Sequence, residues 1–521
     1  MIHIGRPSGK GHISSRRCAT PEDGVAPSPN LAVGNITNPY PHPYHIRQLR
    51  MSRLRFSAFV IVVTILAGTS LYRTAETSQL GAVPSDSAAF PQQTVSLWQN
   101  QSFWRVPLQG GPRYSTDSIL ISVSQDAYWF IEREAVDVFG FNYTQSQMST
   151  IGGRFESEIL PTIHQALGSE PSPPGDADGD PNITILITSD LSVFDPRNEN
   201  PPSSDPFSNA HEMIYVRFRN NTTDFLASVA HELAHLVQWN YDPFESGWVN
   251  EGMAMVAEHA AGFSETFSGA YFANTTIGLF SGRSHGSSDY GGWELLFEYL
   301  TDRFGGWDFA RAVTQSPLQG VAGIEDALRT LGHREAFREI FKDWTVANLL
   351  NRETTEGRRF QYANVSGRAA VSYSVTGVSW STDLTLENGG VAYIRINSPS
   401  PSFQVTLTNA TQDSWIAMFA FDMGPSVQLA EASEYSSTSL VLLGTQQELA
   451  TATLIIAYVN LTGQPERSIG VVVSPRSALP VGIVVAGIFG SAAVAATIAL
   501  IPWRRRRASG KELDVRDRGS Q

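Results

Sequence analysis

The sequence predicts an α+β domain that is followed by an all-β sandwich domain and a C-terminal transmembrane helix. Strand-like and then helical spacing of apolar residues characterises the chain from about residue 118 to Leu350. From Val371 onward the helical spacing gives way to short alternating segments with few charges, which is typical of a sandwich. Near the C-terminus, a long uncharged stretch is followed at once by four arginines.

Composition and charge argue against one broad class of partner. The chain has 521 residues, a net charge of -13 and one cysteine, Cys18. The first 76 and the last 18 residues hold 16 of the 37 basic residues but only 6 of the 50 acidic ones. The body between them is therefore strongly acidic, and its only lysine is Lys342. We expect no nucleic acid among the partners, and a single cysteine allows no disulfide within the chain.

The N-terminal region has the composition of targeting and linker segments. Residues 1–50 lack periodicity, which predicts either disorder or a start codon assigned too early. Residues 51–72 begin with basic residues and continue as an apolar run, which predicts a cleaved signal peptide or an uncleaved signal anchor. Residues 73–110 are rich in small and polar residues at their start and predict a linker or a short pro-region.

The C-terminal region predicts a membrane anchor. Residues 478–503 include no charged residue and are long enough to span a bilayer. The arginines that open the tail, residues 504–521, are typical of a cytoplasmic side. Nine N-x-S/T sequons lie between the two apolar ends. We therefore expect a single-pass protein of the cell membrane with a glycosylated extracellular part, whose oligomeric state the sequence leaves open.

The part between these ends divides where the periodicity changes. Residues 111–362 predict the α+β domain, in which helical spacing over 149–167 is kinked or split by Pro161. Residues 365–475 predict the sandwich domain. Its seven predicted strands are 384–387, 391–396, 403–408, 415–421, 440–443, 452–458 and 469–473.

The α+β domain is organised around the segment VAHELAHLVQW at 229–239. This segment places His231 and His235 one helical turn apart, with Glu232 between them and apolar residues on both flanks. Residues four apart share one face of a helix, so the two imidazoles can ligate one zinc ion. Glu232 can then reach a water molecule on that ion. Because an isolated HExxH also occurs by chance, the neighbouring sequence has to decide between the two interpretations.

A catalytic zinc site normally has a third protein ligand. The extended motif with a third histidine is excluded, because Gln238 and Tyr241 replace its glycine and its histidine. Glu251 follows His235 by sixteen residues and opens an apolar helix, where a buried carboxylate needs a cation or hydrogen-bond donors. The alternative is a helix-start carboxylate stabilised by the helix dipole. Two neighbouring glutamates are weaker candidates for the third ligand, namely Glu245 and Glu258.

An acidic segment precedes the predicted strand 183–188. Asp176, Asp178 and Asp180 alternate as the oxygen ligands of a calcium loop do. The glycine and the bidentate glutamate of an EF-hand are missing at their positions. The segment therefore predicts either a Ca²⁺ site or a solvated acidic turn before a strand.

The motifs HELAH and WVNEGMA, supported by SNAHEMIY, YGGWELLFEYLTDRFG and FKDWTVAN, resemble the gluzincin group of zinc metallopeptidases, and within it the hyicolysin-like branch. The resemblance covers residues 115–350. It implies a zincin-like metallopeptidase fold for the α+β domain, with Zn²⁺ bound by His231, His235 and Glu251. It also implies that Glu232 is the general base.

Two further residues complete the predicted site. Tyr290 lies at the end of a Gly/Ser-rich stretch, where it is either the group that stabilises the oxyanion or a tyrosine that packs at a helix start. Asn250 precedes the third ligand and is expected to support the ligands through its side chain.

The function expected from these residues is that of a membrane-anchored extracellular zinc-dependent endopeptidase acting on polypeptides. One alternative is a catalytically inactive surface adhesin or envelope protein with the same fold, against which the intact Glu232 argues. Another is a different zinc hydrolase or an aminopeptidase, but no acidic amine-binding motif precedes the helix.

Overall fold

The structure, a computed structural model, describes residues 96–475 apart from short gaps. The predicted segments 1–50, 51–72, 478–503 and 504–521 lie outside the described residues. The gaps are at 108–110, 140–142, 171–177, 264–266, 398–401, 433, 436–438, 446–451 and 461–463.

The first part of the chain is built on a six-stranded sheet. Its strands are β1 (Asn100–Arg105), β2 (Tyr114–Val123), β3 (Ala127–Glu132), β4 (Ile183–Thr188), β5 (Val193–Phe194) and β6 (Met213–Arg217). Their spatial order is β1-β2-β3-β4-β6-β5, with β3, β4 and β6 parallel and the remaining pairs antiparallel. All six residues of β4 are buried, as expected for a central parallel strand rich in isoleucine. The two-residue β5 forms one edge of the sheet.

Helices cover this sheet and extend beyond it. In the described part they are α1 (Arg133–Phe139), α2 (Gln145–Arg154), α3 (Leu160–Ala166), α4 (Thr222–Tyr241), α5 (Gly247–Ala260), α6 (Ser268–Ala273), α7 (Ser287–Phe304), α8 (Trp307–Thr314), α9 (Gly320–Thr330) and α10 (Phe337–Leu350). Helix α4 packs on β6 and β5, α5 packs on α4, and α7 packs on α5. The HELAH segment therefore lies between the sheet and the other helices.

The helix predicted over 149–167 is split, as Pro161 led us to expect. Helix α2 ends at Arg154, a π-helical turn spans Phe155–Ile159, and α3 starts at Leu160 with the proline in its first turn. Proline cannot donate a backbone hydrogen bond, and its ring crowds the carbonyl four residues before it. The wider π-turn accommodates that carbonyl.

The last part of the chain forms two five-stranded sheets. Their strands are β7 (Tyr373–Val375), β8 (Trp380–Glu387), β9 (Val391–Ile396), β10 (Ser402–Thr408), β11 (Trp415–Asp422), β12 (Val427–Glu431), β13 (Glu434–Tyr435), β14 (Ser439–Thr445), β15 (Ala452–Tyr458) and β16 (Glu466–Pro475). One sheet has the order β13-β14-β10-β16-β8 and the other β12-β11-β15-β9-β7. Each of the seven predicted strands has a counterpart here, and the short β7, β12 and β13 are additional.

The second of these sheets shares a hydrophobic core with the helices. Val391, Tyr393, Ile416 and Ile455 are buried in the same cluster as the residues of α4, α5, α7 and α10. The hydroxyl of Tyr393 also donates to the carbonyl oxygen of Thr345 on α10, at 2.8 Å. The strands of 365–475 therefore pack directly against the helices and are not connected to them by a flexible linker alone.

The predicted fold class is corrected in one respect. It included a transmembrane helix, but among the helices that the structure describes none is long and apolar enough to cross a membrane. What the described residues form is a mixed α/β structure with several sheets. The prediction depended on 478–503 alone, and this stretch lies outside the described residues.

A second correction concerns the predicted linker, residues 73–110. Strand β1, at 100–105, pairs with β2 over its whole length, so the end of this segment belongs to the six-stranded sheet. Phe103 and Arg105 on β1 are buried, which a linker would not require. The strand was missed because its mixed polar sequence shows only a short alternation.

Gly252 allows α5 to approach α7 closely. A Cβ atom at this position would lie 2.1 Å from a ring carbon of buried Phe297. We predict that Gly252→Ala lowers the free energy of unfolding by about 1–3 kcal/mol, because the helices must move apart. Gly153, at an exposed position of α2, has no atom within 4 Å of such a Cβ.

The matched control Gly153→Ala should therefore leave stability unchanged or raise it by up to about 1 kcal/mol, since alanine favours helix. Chemical denaturation of the purified proteins measures both changes. Equal effects of the two substitutions would contradict the close approach of α5 and α7.

Candidate metal centre

Helix α4 places the two histidines of the HELAH segment side by side. The helix is capped by Asn221, whose side chain accepts a hydrogen bond from the Thr223 N–H at 2.9 Å. Its apolar positions face the sheet on one side and α5 on the other. One turn apart, His231 and His235 direct their Nε2 atoms to the same point, 3.2 Å from each other. At most one of these two nitrogens can donate to the other.

Helix α5 adds a carboxylate at the same point. Glu251 Oε2 lies 3.3 Å from His231 Nε2 and 3.7 Å from His235 Nε2. The three side chains have ligand atoms that all lie within 4.8 Å of one another, and this group could hold a metal ion. The chain between His235 and Glu251 thus consists of the end of α4, a short loop and the start of α5.

Two buried carboxylate oxygens at this point lack a hydrogen-bond partner among the described residues. Oε2 of Glu251 and Oε2 of Glu232 are buried and accept no hydrogen bond of good geometry from the described residues. Buried polar atoms without partners are rare in folded proteins and require an explanation. A cation held between the two imidazole nitrogens and Oε2 of Glu251 would satisfy that oxygen, so the residues present fit a metal ion.

Glu258 supports one of the histidines from the side opposite to this point. Nδ1 of His231 donates to Oε1 of Glu258 at 2.6 Å. A carboxylate at the second nitrogen sets the ring orientation and makes the first nitrogen a stronger ligand. The sequence analysis considered Glu258 only as a weaker candidate for the third ligand. The signal for its actual place is its spacing of seven residues from Glu251, which puts both on one face of α5.

These contacts determine the charges of the group. Burial lowers the pKa of the His231 imidazole, but its contacts with the carboxylates of Glu251 and Glu258 outweigh burial and hold that pKa well above the usual range. Burial raises the pKa of Glu251, but contacts with both histidines dominate and lower it to about 2. In the metal-free protein, the imidazole of His231 and the carboxylate of Glu251 are therefore both charged near neutral pH.

Glu232 lies in a different environment from Glu251, although both are buried. Burial raises the pKa of Glu232 to about 7, against the lowering effect of the two histidines. Its carboxylate accepts a hydrogen bond from the backbone N–H of Phe194 on the edge strand β5. Glu232 can therefore take up or release a proton near neutral pH at a position defined by the sheet.

Tyr290 reaches the same group from the first turn of α7. Its phenol forms a hydrogen bond with Glu251, and the negative charge of Glu251, then burial, hold its pKa well above the usual range. The ring is half-buried and packs against Phe267 and Trp293, with centroids 5.8 Å and 5.4 Å away. The structure thus brings Tyr290 to the metal-binding group with its proton in place.

Asn250, by contrast, does not reach the ligands with its side chain. Its Nδ2 donates to the carbonyl oxygen of Glu245 at 3.5 Å, and its own carbonyl accepts from Gln238 Nε2 at 3.2 Å. These bonds tie the start of α5 to the preceding loop and to α4. Asn250 therefore holds the two helices together rather than supporting an individual ligand.

The predicted calcium residues are engaged in other contacts. Asp176 lies outside the described residues. Oδ2 of Asp178 accepts from His211 Nδ1 at 2.5 Å, and Oδ2 of Asp180 accepts from the Tyr128 hydroxyl at 3.0 Å. Among the described residues, only the histidine–histidine–glutamate group meets the distance criterion for a metal site. A Ca²⁺ site at this turn stays a prediction without support from these contacts.

No protein-family model matches the chain, and no curated protein sequence is significantly similar to it. The group of His231, His235 and Glu251 is therefore a candidate metal site on its own geometry.

Proposed function

We propose that this protein is a zinc-dependent endopeptidase in which His231, His235 and Glu251 hold Zn²⁺. The observation that carries the proposal is the convergence of two Nε2 atoms and a carboxylate oxygen beside the buried Glu232. Two imidazoles and one carboxylate are a known ligand set of catalytic zinc, and three protein ligands leave a fourth position open. The HELAH and WVNEGMA motifs support the gluzincin group, and its hyicolysin-like branch, as the family.

The chemistry divides between the ion and the side chains. Zinc, when bound, supplies Lewis acidity, which acidifies water at the open position and polarises the substrate carbonyl. Glu232 accepts the proton of the attacking water and returns it to the leaving amine, a role that suits a pKa of about 7. Tyr290, whose single O–H is directed to Glu251 in the metal-free site, would donate it to the oxygen on which charge develops once Glu251 binds the ion. Glu258 keeps the His231 ring oriented.

The substrate strand is proposed to lie along β5. Strand β6, which precedes α4, lies between β4 and β5 and is paired on both sides. Within the part of the chain that the structure describes, strand β5 has one unpaired edge, and through Phe194 it is bonded to Glu232. An extended polypeptide can add to such an edge by backbone hydrogen bonds, which favours cleavage within a chain rather than at its end.

We further propose that the described part acts outside the cell. The nine sequons and the apolar segment 51–72 support this localisation.

Glu232→Gln is expected to abolish peptide cleavage while zinc stays bound. The amide keeps the size of the side chain but cannot accept the proton of water, so the rate should fall by about 10²–10⁴-fold. Cleavage of fluorescein-labelled casein measures the rate, and atomic emission measures the zinc. The matched control is Glu353→Gln at an exposed position, which should leave both unchanged. A wild-type protein with a full zinc complement and no cleavage of any peptide would refute the endopeptidase.

Removal of the third ligand should remove the metal. Glu251→Ala is expected to lose zinc during dialysis, whereas Asn250→Ala, next to it, should retain zinc because its side chain is bonded to Glu245. Glu258→Gln should weaken zinc affinity by about 10–100-fold, as other changes behind a ligating histidine do. Zinc retention by Glu251→Ala would show that the carboxylate is not a ligand.

Zinc affinity should increase with pH through the neutral range. The metal-free protein keeps the proton on His231 to a higher pH than an ordinary histidine does, because that pKa is raised. Only the unprotonated nitrogen binds metal, so below this pKa affinity should fall about tenfold per pH unit for each proton released. Competition with a chromophoric chelator between about pH 6 and about pH 8 measures the dependence.

Glu258→Gln removes one carboxylate that raises the pKa of His231. The zinc affinity of this variant should therefore level off at a lower pH than that of the wild type. An affinity independent of pH in both proteins would contradict a protonated His231 in the metal-free site.

A further inference from the structure

The chain before Tyr290 is bound to the turn between β8 and β9 of the sandwich. The Phe280 N–H donates to the carbonyl of Asn388 at 2.9 Å, and the Val391 N–H donates to the carbonyl of Thr275 at 2.6 Å. These are backbone bonds between segments more than 100 residues apart in sequence. The segment that leads from α6 to α7 is therefore held by the other part of the molecule along much of its length.

Glycines allow the two segments to come this close. A Cβ atom on Gly278 would lie 2.6 Å from the Cβ of Glu387, and one on Gly390 would lie 2.4 Å from the carbonyl oxygen of Thr276. Both distances are shorter than real contacts of a Cβ atom. The backbone contact thus depends on glycine in both segments, as expected of a built interface rather than an incidental one.

Glu387, the last residue of β8, binds this segment with both carboxylate oxygens. Oε2 accepts from the Gly278 N–H at 3.2 Å, and Oε1 lies 3.1 Å from His285 Nε2. The other ring nitrogen of His285, Nδ1, lies 3.0 Å from Oδ1 of Asp289. Asp289 is almost fully buried and its carboxylate also accepts from the His285 N–H. A continuous chain of contacts thus runs from the sandwich to the residue before Tyr290.

Helix α7 needs this support at its start. Its N-cap residue is Gly286, at φ 63°, and no side chain caps the first turn. A helix start without a capping side chain has unsatisfied N–H groups and frays more easily. The carboxylate of Asp289, in the first turn of α7, contacts His285, and His285 contacts Glu387. The start of the helix is thereby connected to the sandwich.

We propose that Glu387 of the sandwich is a positioning residue, which fixes the start of α7 and thereby holds Tyr290 against Glu251. The chain Glu387–His285–Asp289 transmits this restraint. The role of Tyr290 in the reaction rests on the proposed function, whereas the restraint itself does not. The strands of 365–475 are on this view a part of the active site and not a separate binding module.

The same surface provides a matched control. Arg283 bridges Glu387 and Glu466, at 3.5 Å and 2.6 Å, but Glu466 makes no contact with His285 in the described structure. Glu466 is half-exposed, and ion pairs at such positions contribute little to stability. Replacement of Glu466 therefore removes a neighbouring carboxylate that is not itself a member of the chain of contacts.

The test compares Glu387→Ala, Glu387→Gln and His285→Ala with Glu466→Ala in the full, zinc-loaded chain. We expect Glu387→Ala and His285→Ala each to lower kcat for fluorescein-labelled casein by about ten- to a hundredfold, with KM and zinc content little changed. Glu387→Gln should recover part of the loss, since its amide oxygen still accepts from His285. The double variant should lose no more than either single one, because both cut the same chain of contacts.

Amide hydrogen exchange provides a readout that does not depend on activity. Exchange across 285–291 should accelerate in Glu387→Ala and His285→Ala but not in Glu466→Ala. Unchanged exchange in the first two variants would overturn the proposal, as would faster exchange with an unchanged kcat. If the wild type cleaved no peptide, the peptidase proposal would fail, and the exchange result would still decide whether Glu387 holds α7.

Discussion

The burial of opposite charges at one point is the constraint on which the rest of this structure depends. His231, Glu251 and Glu258 are largely removed from water. Buried charges are tolerated only when each has a partner, and removal of one partner leaves the other at a high cost. Helices α4 and α5 must therefore keep a fixed register, because a shift by one turn would separate the carboxylates from the imidazole.

The remaining elements maintain that register. The sheet supports α4 and, through the Phe194 N–H, also holds the carboxylate of Glu232. Gly252 lets α7 come close enough for Tyr290 to reach Glu251. Two buried glutamates on one site thus acquire opposite properties: the pKa of Glu251 falls to about 2 beside two histidines, and that of Glu232 rises to about 7. Such divergence between neighbouring carboxylates is what acid–base chemistry requires.

What could be predicted from the sequence is what depends on local spacing. The pair His231 and His235 follows from helix periodicity, and Glu251 follows from a charge that opens an apolar helix. The Phe194 and Glu387 contacts join segments far apart in the chain, and no periodicity encodes them. Asn250 was predicted to support the ligands because it is next to Glu251 in the sequence. The side chains of adjacent residues on a helix point in different directions. The anchor at 478–503 was inferred from residues that the structure does not describe.

The core shared by the helices and the sandwich also bears on the order in which the molecule is completed. Thr275 is bonded to Val391, Phe280 to Asn388, and Thr345 to Tyr393. The two residues of each pair are far apart in the sequence. Such contacts form late, because the loop between the partners must be closed first. During synthesis, the backbone bonds between this segment and the sandwich cannot form until the chain has grown past Val391. The surroundings of Tyr290 and Glu251 are therefore complete only after most of the described chain has been made.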